Sequence, residues 1–260
     1  MNATRISLLF AAGLAAGLMN AIAGGGTIVT FPALILAGIS SIDANATSTV
    51  ALLPGTLASI VGYRSNLPAM RNSIRLFVPV SALGGLLGGI LLTVTPTTLF
   101  DRLVPFLILF ATILFTSHTL FARIFRFKTT PTAQDISSRA MAVALIFQFI
   151  VAVYGGYFGA GIGILMLATL SMMGFANIHE MNVLKNVIGF LINAVAAAYF
   201  VSVGLVDWTA AVAIALGSMA GGYSGAHFAQ KISQGTVRNL ITAVGLLITA
   251  VMFYKQFAKN

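Results

Sequence analysis

The chain is 260 residues long, 58% hydrophobic and only 7% charged, with a mean hydropathy of +1.00. A soluble domain carries about 25% charged residues, so a water-soluble fold is excluded and an integral membrane protein is implied. The formal net charge of +9 does not point to nucleic acid, because the basic residues gather in short stretches between apolar runs, as they do in cytoplasmic loops.

A membrane-spanning helix needs about 20 apolar residues. The apolar segments, in chain order, are 6–38, 44–63, 76–95, 103–122, 140–175, 182–203, 208–228 and 239–254. Lipid offers no partner to backbone groups, so these spans are helices. The alternating ten-residue strands of a membrane barrel are absent from the sequence. The first and fifth segments are too long for one straight crossing: at about 1.5 Å per residue, either would far exceed a hydrocarbon core of about 30 Å. They must tilt, break or turn back. Arg5, an apolar run and Ala21-Ile22-Ala23 imitate a signal peptide, but the run does not stop at Ala23.

The first segment holds "NAIAGGGTIVTFPAL", with Gly24, Gly25 and Gly26 followed by Pro32. Glycine and proline are the poorest helix formers, and three consecutive glycines exceed what close helix packing needs, so a break is expected here near mid-membrane. Two further Gly-rich stretches, "GGLLGG" at Gly84–Gly89 and "GSMAGG" at Gly217–Gly222, have the spacing of small residues that let helices approach closely.

These stretches repeat in order. "GGLLGG" and "GSMAGG" lie 133 positions apart, Arg102 and Arg238 136 apart, and Asp43 and Glu180 137 apart. The triple glycine pairs with "GGYFGAGIG" at Gly155–Gly163, about 135 positions later. The chain therefore reads as a first four-segment repeat over 1–125, a basic cytoplasmic linker over 126–139, and a second four-segment repeat over 140–260. Orientation is harder to assign. The Arg-rich loops 64–75 and 123–139 fit an N-terminus inside, but the basic stretch Lys231–Arg238 then falls on the wrong side. Inverting the second half repairs this, and requires one long segment to be re-entrant.

Polar residues within membrane segments are costly and mark function. In "HEMNVLKN", His179–Asn186, residues Asn182, Lys185, Asn186, Gly189 and Asn193 recur at three and four and share one helix face. The matching stretch of the first half, "DANATST", supplies Asn45, Thr47 and Ser48. Lys185 is either the counter-charge for an anion or a residue that snorkels to the interface. Asn20 lies just before the triple glycine. Asp43, His179 and Glu180 are candidates for ion or proton coupling, although each also suits a helix start, where negative charge is favoured. "GAGIG" at Gly159–Gly163 lacks the preceding strand of a dinucleotide loop. "GYSG" around Ser224 imitates the nucleophile motif of intramembrane proteases. No catalytic residue and no metal site are assigned, and no cofactor is expected.

"GLMNAIAGGGTIVTFPALILAGIS" with "DANATSTVAL", and "GGYFGAGIGILMLATLSMMGF" with "NVLKNVIGFLINAVAA", resemble the sulfite exporter TauE/SafE family over nearly the whole chain. The resemblance implies a secondary transporter of sulfur-containing anions such as sulfite or sulfonates in a prokaryotic cytoplasmic membrane. The expected fold is an all-α, polytopic bundle of two pseudo-symmetric repeats. The expected anion site combines helix breaks at Gly24, Gly25, Gly26, Gly159 and Gly161 with Lys185 and the polar groups of Asn20, Asn45, Thr47, Ser48, Asn182 and Asn186. The expected partners are a small anionic solute, the bilayer and a coupling proton or ion, with a homodimer left open and nucleic acid excluded. An anion channel and, more remotely, an intramembrane enzyme are the rival readings.

Overall fold

The computed structural model describes residues 2–22, 25–62, 67, 70–117, 138–172, 175, 178–228 and 234–257. Among these, all regular structure is helical: α1 (Ala3–Ile22), α2 (Thr27–Leu36), α3 (Ser41–Gly62), α4 (Arg71–Val94), α5 (Thr97–Thr116), α6 (Ser138–Tyr157), α7 (Ile162–Met172), α8 (Ile178–Ser202), α9 (Trp208–Phe228) and α10 (Gln234–Phe257). The stretches Ala3–Asn20, Arg71–Val94, Thr97–Leu114 and Glu180–Ser202 are long and apolar enough to cross a membrane. Large apolar side chains such as Leu83, Phe106, Ile146, Leu216 and Leu247 point outward, as they must where the surrounding solvent is lipid.

Among the described residues the eight apolar segments thus become ten helices, because each of the two long segments splits. Gly25 takes φ +91°, a left-handed conformation that a side chain would oppose. The chain reverses there. The Gly26 N–H donates to Asn20 Oδ1 at 2.8 Å, and a Cβ on Gly26 would touch Ala16. At the other end of α2, the space beside Gly38 is met by Arg5 Nη1 at 3.8 Å. So α2 runs back along α1 and returns the chain to the side it came from.

The second long segment does the same. Gly159 and Gly161 take φ +78° and +77°, Tyr154 OH donates to the Ala160 carbonyl at 2.7 Å, and a Cβ on Gly155 would sit 3.4 Å from the Ile162 side chain. Both breaks fall at the glycine-rich stretches marked in the sequence. Each follows a 20-residue helix, which at about 1.5 Å per residue already covers the hydrocarbon core.

Helix pairing is mostly between the two halves. α1 crosses α9 in parallel, with Gly13 against Ile214 and Gly17 against Ser218. α4 crosses α6 in parallel, with Gly84 against Phe149 and Ala152, and Gly88 against Val153 and Tyr157. α5 and α10 are antiparallel: the Phe106 and Phe253 rings meet edge to face at 5.1 Å, and Thr116 meets Thr242 at 3.3 Å. The glycines permit backbone contact that any side chain would prevent. Among the described residues a buried polar bridge, Gln148 Nε2 to Ser81 Oγ at 3.1 Å, ties α4 to α6.

These directions sort the helix ends. Met70, Ile74, Met141, Leu170, Phe175 and Met181 pack in one cluster, so the starts of α4, α6 and α8 and the end of α7 share one side. The opposite side gathers the start of α3, the α4–α5 turn and the α8–α9 turn around a cavity of about 450 Å³.

Candidate anion site

Each hairpin ends in a short helix whose first N–H groups lack intrahelical acceptors. Such an end attracts negative charge, because the helix dipole places about half a positive charge there. The two hairpins treat these ends differently.

In the first hairpin the end is capped from within. Asn20 Oδ1 takes the Gly26 N–H, while Ile28, Val29 and Thr30 donate to the Gly25 and Gly26 carbonyls. Behind this turn the Thr30 and Ser48 hydroxyls lie 2.6 Å apart, both fully buried. Asn20, Gly25, Gly26 and Ser48 are therefore assembled around one short helix. Gly24 lies outside the described residues.

In the second hairpin the end meets a cation. A Cβ on Gly163 would sit 3.2 Å from Lys185 Cδ, so the lysine stem lies across the first turn of α7. Lys185 Nζ donates to Asn182 Oδ1 at 3.2 Å. Among the described residues the Gly163 N–H has no acceptor. Asn186 is half-buried on the face of α8 that carries Asn182 and Lys185. Further along α8, Asn193 Oδ1 comes within 3.6 Å of the space beside Gly159. Lys185 lies seven residues into α8, or about 10 Å at 1.5 Å per residue.

Asn45 joins the halves, its Nδ2 donating to the Tyr157 carbonyl at 2.9 Å. Two sequence candidates lie apart from the hairpins. Thr47 Oγ1 accepts from the Asp207 N–H at 3.0 Å and anchors α3 to the α8–α9 turn. Ser40 caps the start of α3: its Oγ accepts from the Asp43 N–H at 3.3 Å and donates to Asp43 Oδ2 at 2.7 Å, and Asp43 lines the cavity with Thr93–Thr97. Glu180 stands in the first turn of α8; the side chain of His179 lies outside the described residues. Sequence reasoning missed Thr30 and the Tyr157 carbonyl, and placed Gly163 only at the edge of the expected break Gly159–Gly163. Only Gly163 had a signal, as the last glycine of "GGYFGAGIG".

A pair of Gly-broken helical hairpins set beside a polar helix face suits a membrane transporter. The sequence profile described as Sulfite exporter TauE/SafE matches residues 9–252. The chain belongs to the TauE/SafE family. It is a multi-pass membrane transporter of that family. The TauE/SafE chain is 29% identical over 257 residues to a probable membrane transporter protein of Haemophilus influenzae, covering 96% of this chain and 95% of the other. It is 26% identical over 257 residues to the probable membrane transporter protein ORF9 of a Sinorhizobium species, covering 94% and 90%. It is 23% identical over 264 residues to the probable membrane transporter protein YfcA of Escherichia coli, covering 98% and 92%. No solved structure matches it.

Proposed function

We propose that this TauE/SafE transporter is a secondary carrier that moves a small sulfur oxyanion, sulfite or a sulfonate, by alternating access between two inverted repeats. The observation that carries the reading is the Lys185 stem lying across the first turn of α7, beside the Gly163 N–H, which has no acceptor among the described residues. An ammonium, backbone donors and the amides of Asn182 and Asn186 suit a compact acceptor-rich anion.

The repeat reading draws support from the pairing of helices. With α1–α5 as one unit and α6–α10 as the other, α1·α9 corresponds to α6·α4, while α5·α10 corresponds to itself. An offset of 135 places Gly155 where the first half has Asn20. The second hairpin thus lacks its own capping side chain and leaves α7 open to an external anion. An offset of 137 places Lys185 where the first half has Ser48. One half supplies charge and the other hydroxyls, which suits a single anion held between them.

Five helices per unit make the second unit inverted, and this removes the difficulty over charge. The connections carrying Arg64, Arg71, Arg75, Arg123, Arg126, Lys128, Arg139, Lys231 and Arg238 then fall on one side, which the positive-inside rule assigns to the cytoplasm. Both termini face the other way. The chain has no cysteine, so single-cysteine variants report sidedness directly. In intact cells a membrane-impermeant maleimide should label Thr98→Cys and spare Asn72→Cys until the membrane is opened; the reverse pattern refutes the inversion.

For the transport itself, purified protein in liposomes should show saturable sulfite or sulfonate uptake with counterflow. Unsaturable flux that scales with voltage would mean a channel instead.

A further inference from the structure

Asn45 is 1% exposed and uses only half of its amide. Nδ2 donates to the Tyr157 carbonyl, whereas among the described residues the buried Oδ1 has no donor. One turn earlier on the same face of α3, Ser41 is 7% exposed and its buried Oγ is likewise unpartnered. A buried polar atom left without a hydrogen bond costs roughly 1–3 kcal/mol, and native proteins hold few of them. Two on one helix face require an occupant. Asn45 Oδ1 is an acceptor only, so that occupant carries positive charge or donates a proton.

Through Nδ2, Asn45 also reaches the end of α6. The last carbonyls of a helix lack intrahelical donors and bear its partial negative charge. Here Phe158 and Gly159 both donate to the Tyr154 carbonyl, and Asn45 covers that of Tyr157. The Gly155 and Gly156 carbonyls have no backbone donor among the described residues. The two ends of one amide are about 2 Å apart by covalent geometry, so Oδ1 lies beside this same turn. The nearest carboxylate on α3, Asp43, is held by Ser40.

We infer that Asn45 Oδ1, Ser41 Oγ and the free carbonyls at the end of α6 bind a small alkali cation, Na⁺, as the ion coupled to solute movement. Hard cations take oxygen ligands, and unwound helix ends in carriers serve such ions. A set of neutral oxygens suits one positive charge better than two. Because α3 and α6 belong to different halves, the ion ties the halves together when bound and frees them when it leaves. The coupling role rests on the carrier reading above; the site itself does not.

The test is therefore made without any sulfur anion. Thermal unfolding of the purified full chain is followed as NaCl replaces choline chloride at constant ionic strength. A saturable rise in Tm is expected for the wild type. Ser41→Ala should raise the half-saturating Na⁺ concentration several-fold, and Asn45→Leu should abolish the response. No Na⁺-dependent rise in the wild type, or an unchanged one in Ser41→Ala and Asn45→Leu, overturns the site. If Asn45→Leu fails to fold, Ser41→Ala and the wild type still decide it. A Na⁺ response with no sulfite binding would retire the proposed substrate and leave the cation site standing.

Discussion

Replacing Lys185 with methionine should weaken sulfite or sulfonate binding by roughly 30-fold or more, as expected when one partner of a desolvated charge pair is removed. The yield of folded protein should stay the same or rise. Methionine keeps an unbranched apolar stem to lie over Gly163, where the Lys185 Cδ passes, and removes only the ammonium. A cation within a membrane helix is costly to fold around. Among the described residues its hydrogen-bond partner is the neutral Asn182, so the fold gains little from the charge. Equilibrium binding to the purified protein, set beside its monodisperse yield, separates the two roles. If binding and yield fall together, Lys185 is structural and the anion site lies elsewhere.

The second large effect is expected at Gly88. A Cβ there would drive into the Val153 carbonyl and come within 2.7 Å of the Tyr157 N–H. Both are backbone atoms and cannot swing aside. Overpacking of this kind costs about 1–3 kcal/mol, occasionally more, so Gly88→Ala should sharply reduce folded yield and thermal stability. Gly189→Ala is the matched control, also within a helix. Its nearest neighbour would be Met166 Sδ at an ordinary 3.8 Å, and alanine is favoured over glycine in helices by about 1 kcal/mol. It should be neutral or stabilising. Equal damage from both would mean that helix approach does not govern stability here.

Much of this architecture was legible because lipid leaves few choices. Composition dictated helices, and the outer edges of most segments fell within a few residues of the observed ends; α5 begins earlier, at Thr97, directly after Pro96. The positions of the breaks followed from Gly24–Gly26 and Gly159–Gly163. That the chain reverses at them, rather than kinking and going on, did not follow. A reversal is set by contacts such as Gly38 with Arg5 and Ile162 with Gly155, and no local pattern encodes them. For the same reason the polar face of α8 was readable from its spacing, while its meeting with Gly163 was not. Thr47 looked like Ser48 in sequence, yet Ser48 turns to Thr30 and Thr47 to Asp207. Adjacent residues on a helix point in different directions, and only the neighbours decide which direction matters.

The crossing of α1 with α9 has a consequence for how the protein is made. Gly13 and Gly17 press against Ile214 and Ser218, which are translated about 200 residues later. At typical synthesis rates of roughly 5–20 residues per second, that delay is on the order of 10–40 s. Throughout it the glycine-lined groove of the nascent first helix stays without its mate, so assembly closes only when the ribosome has nearly finished. Truncated chains ending before Trp208 should accordingly be handed to membrane quality control rather than persist as half-built carriers.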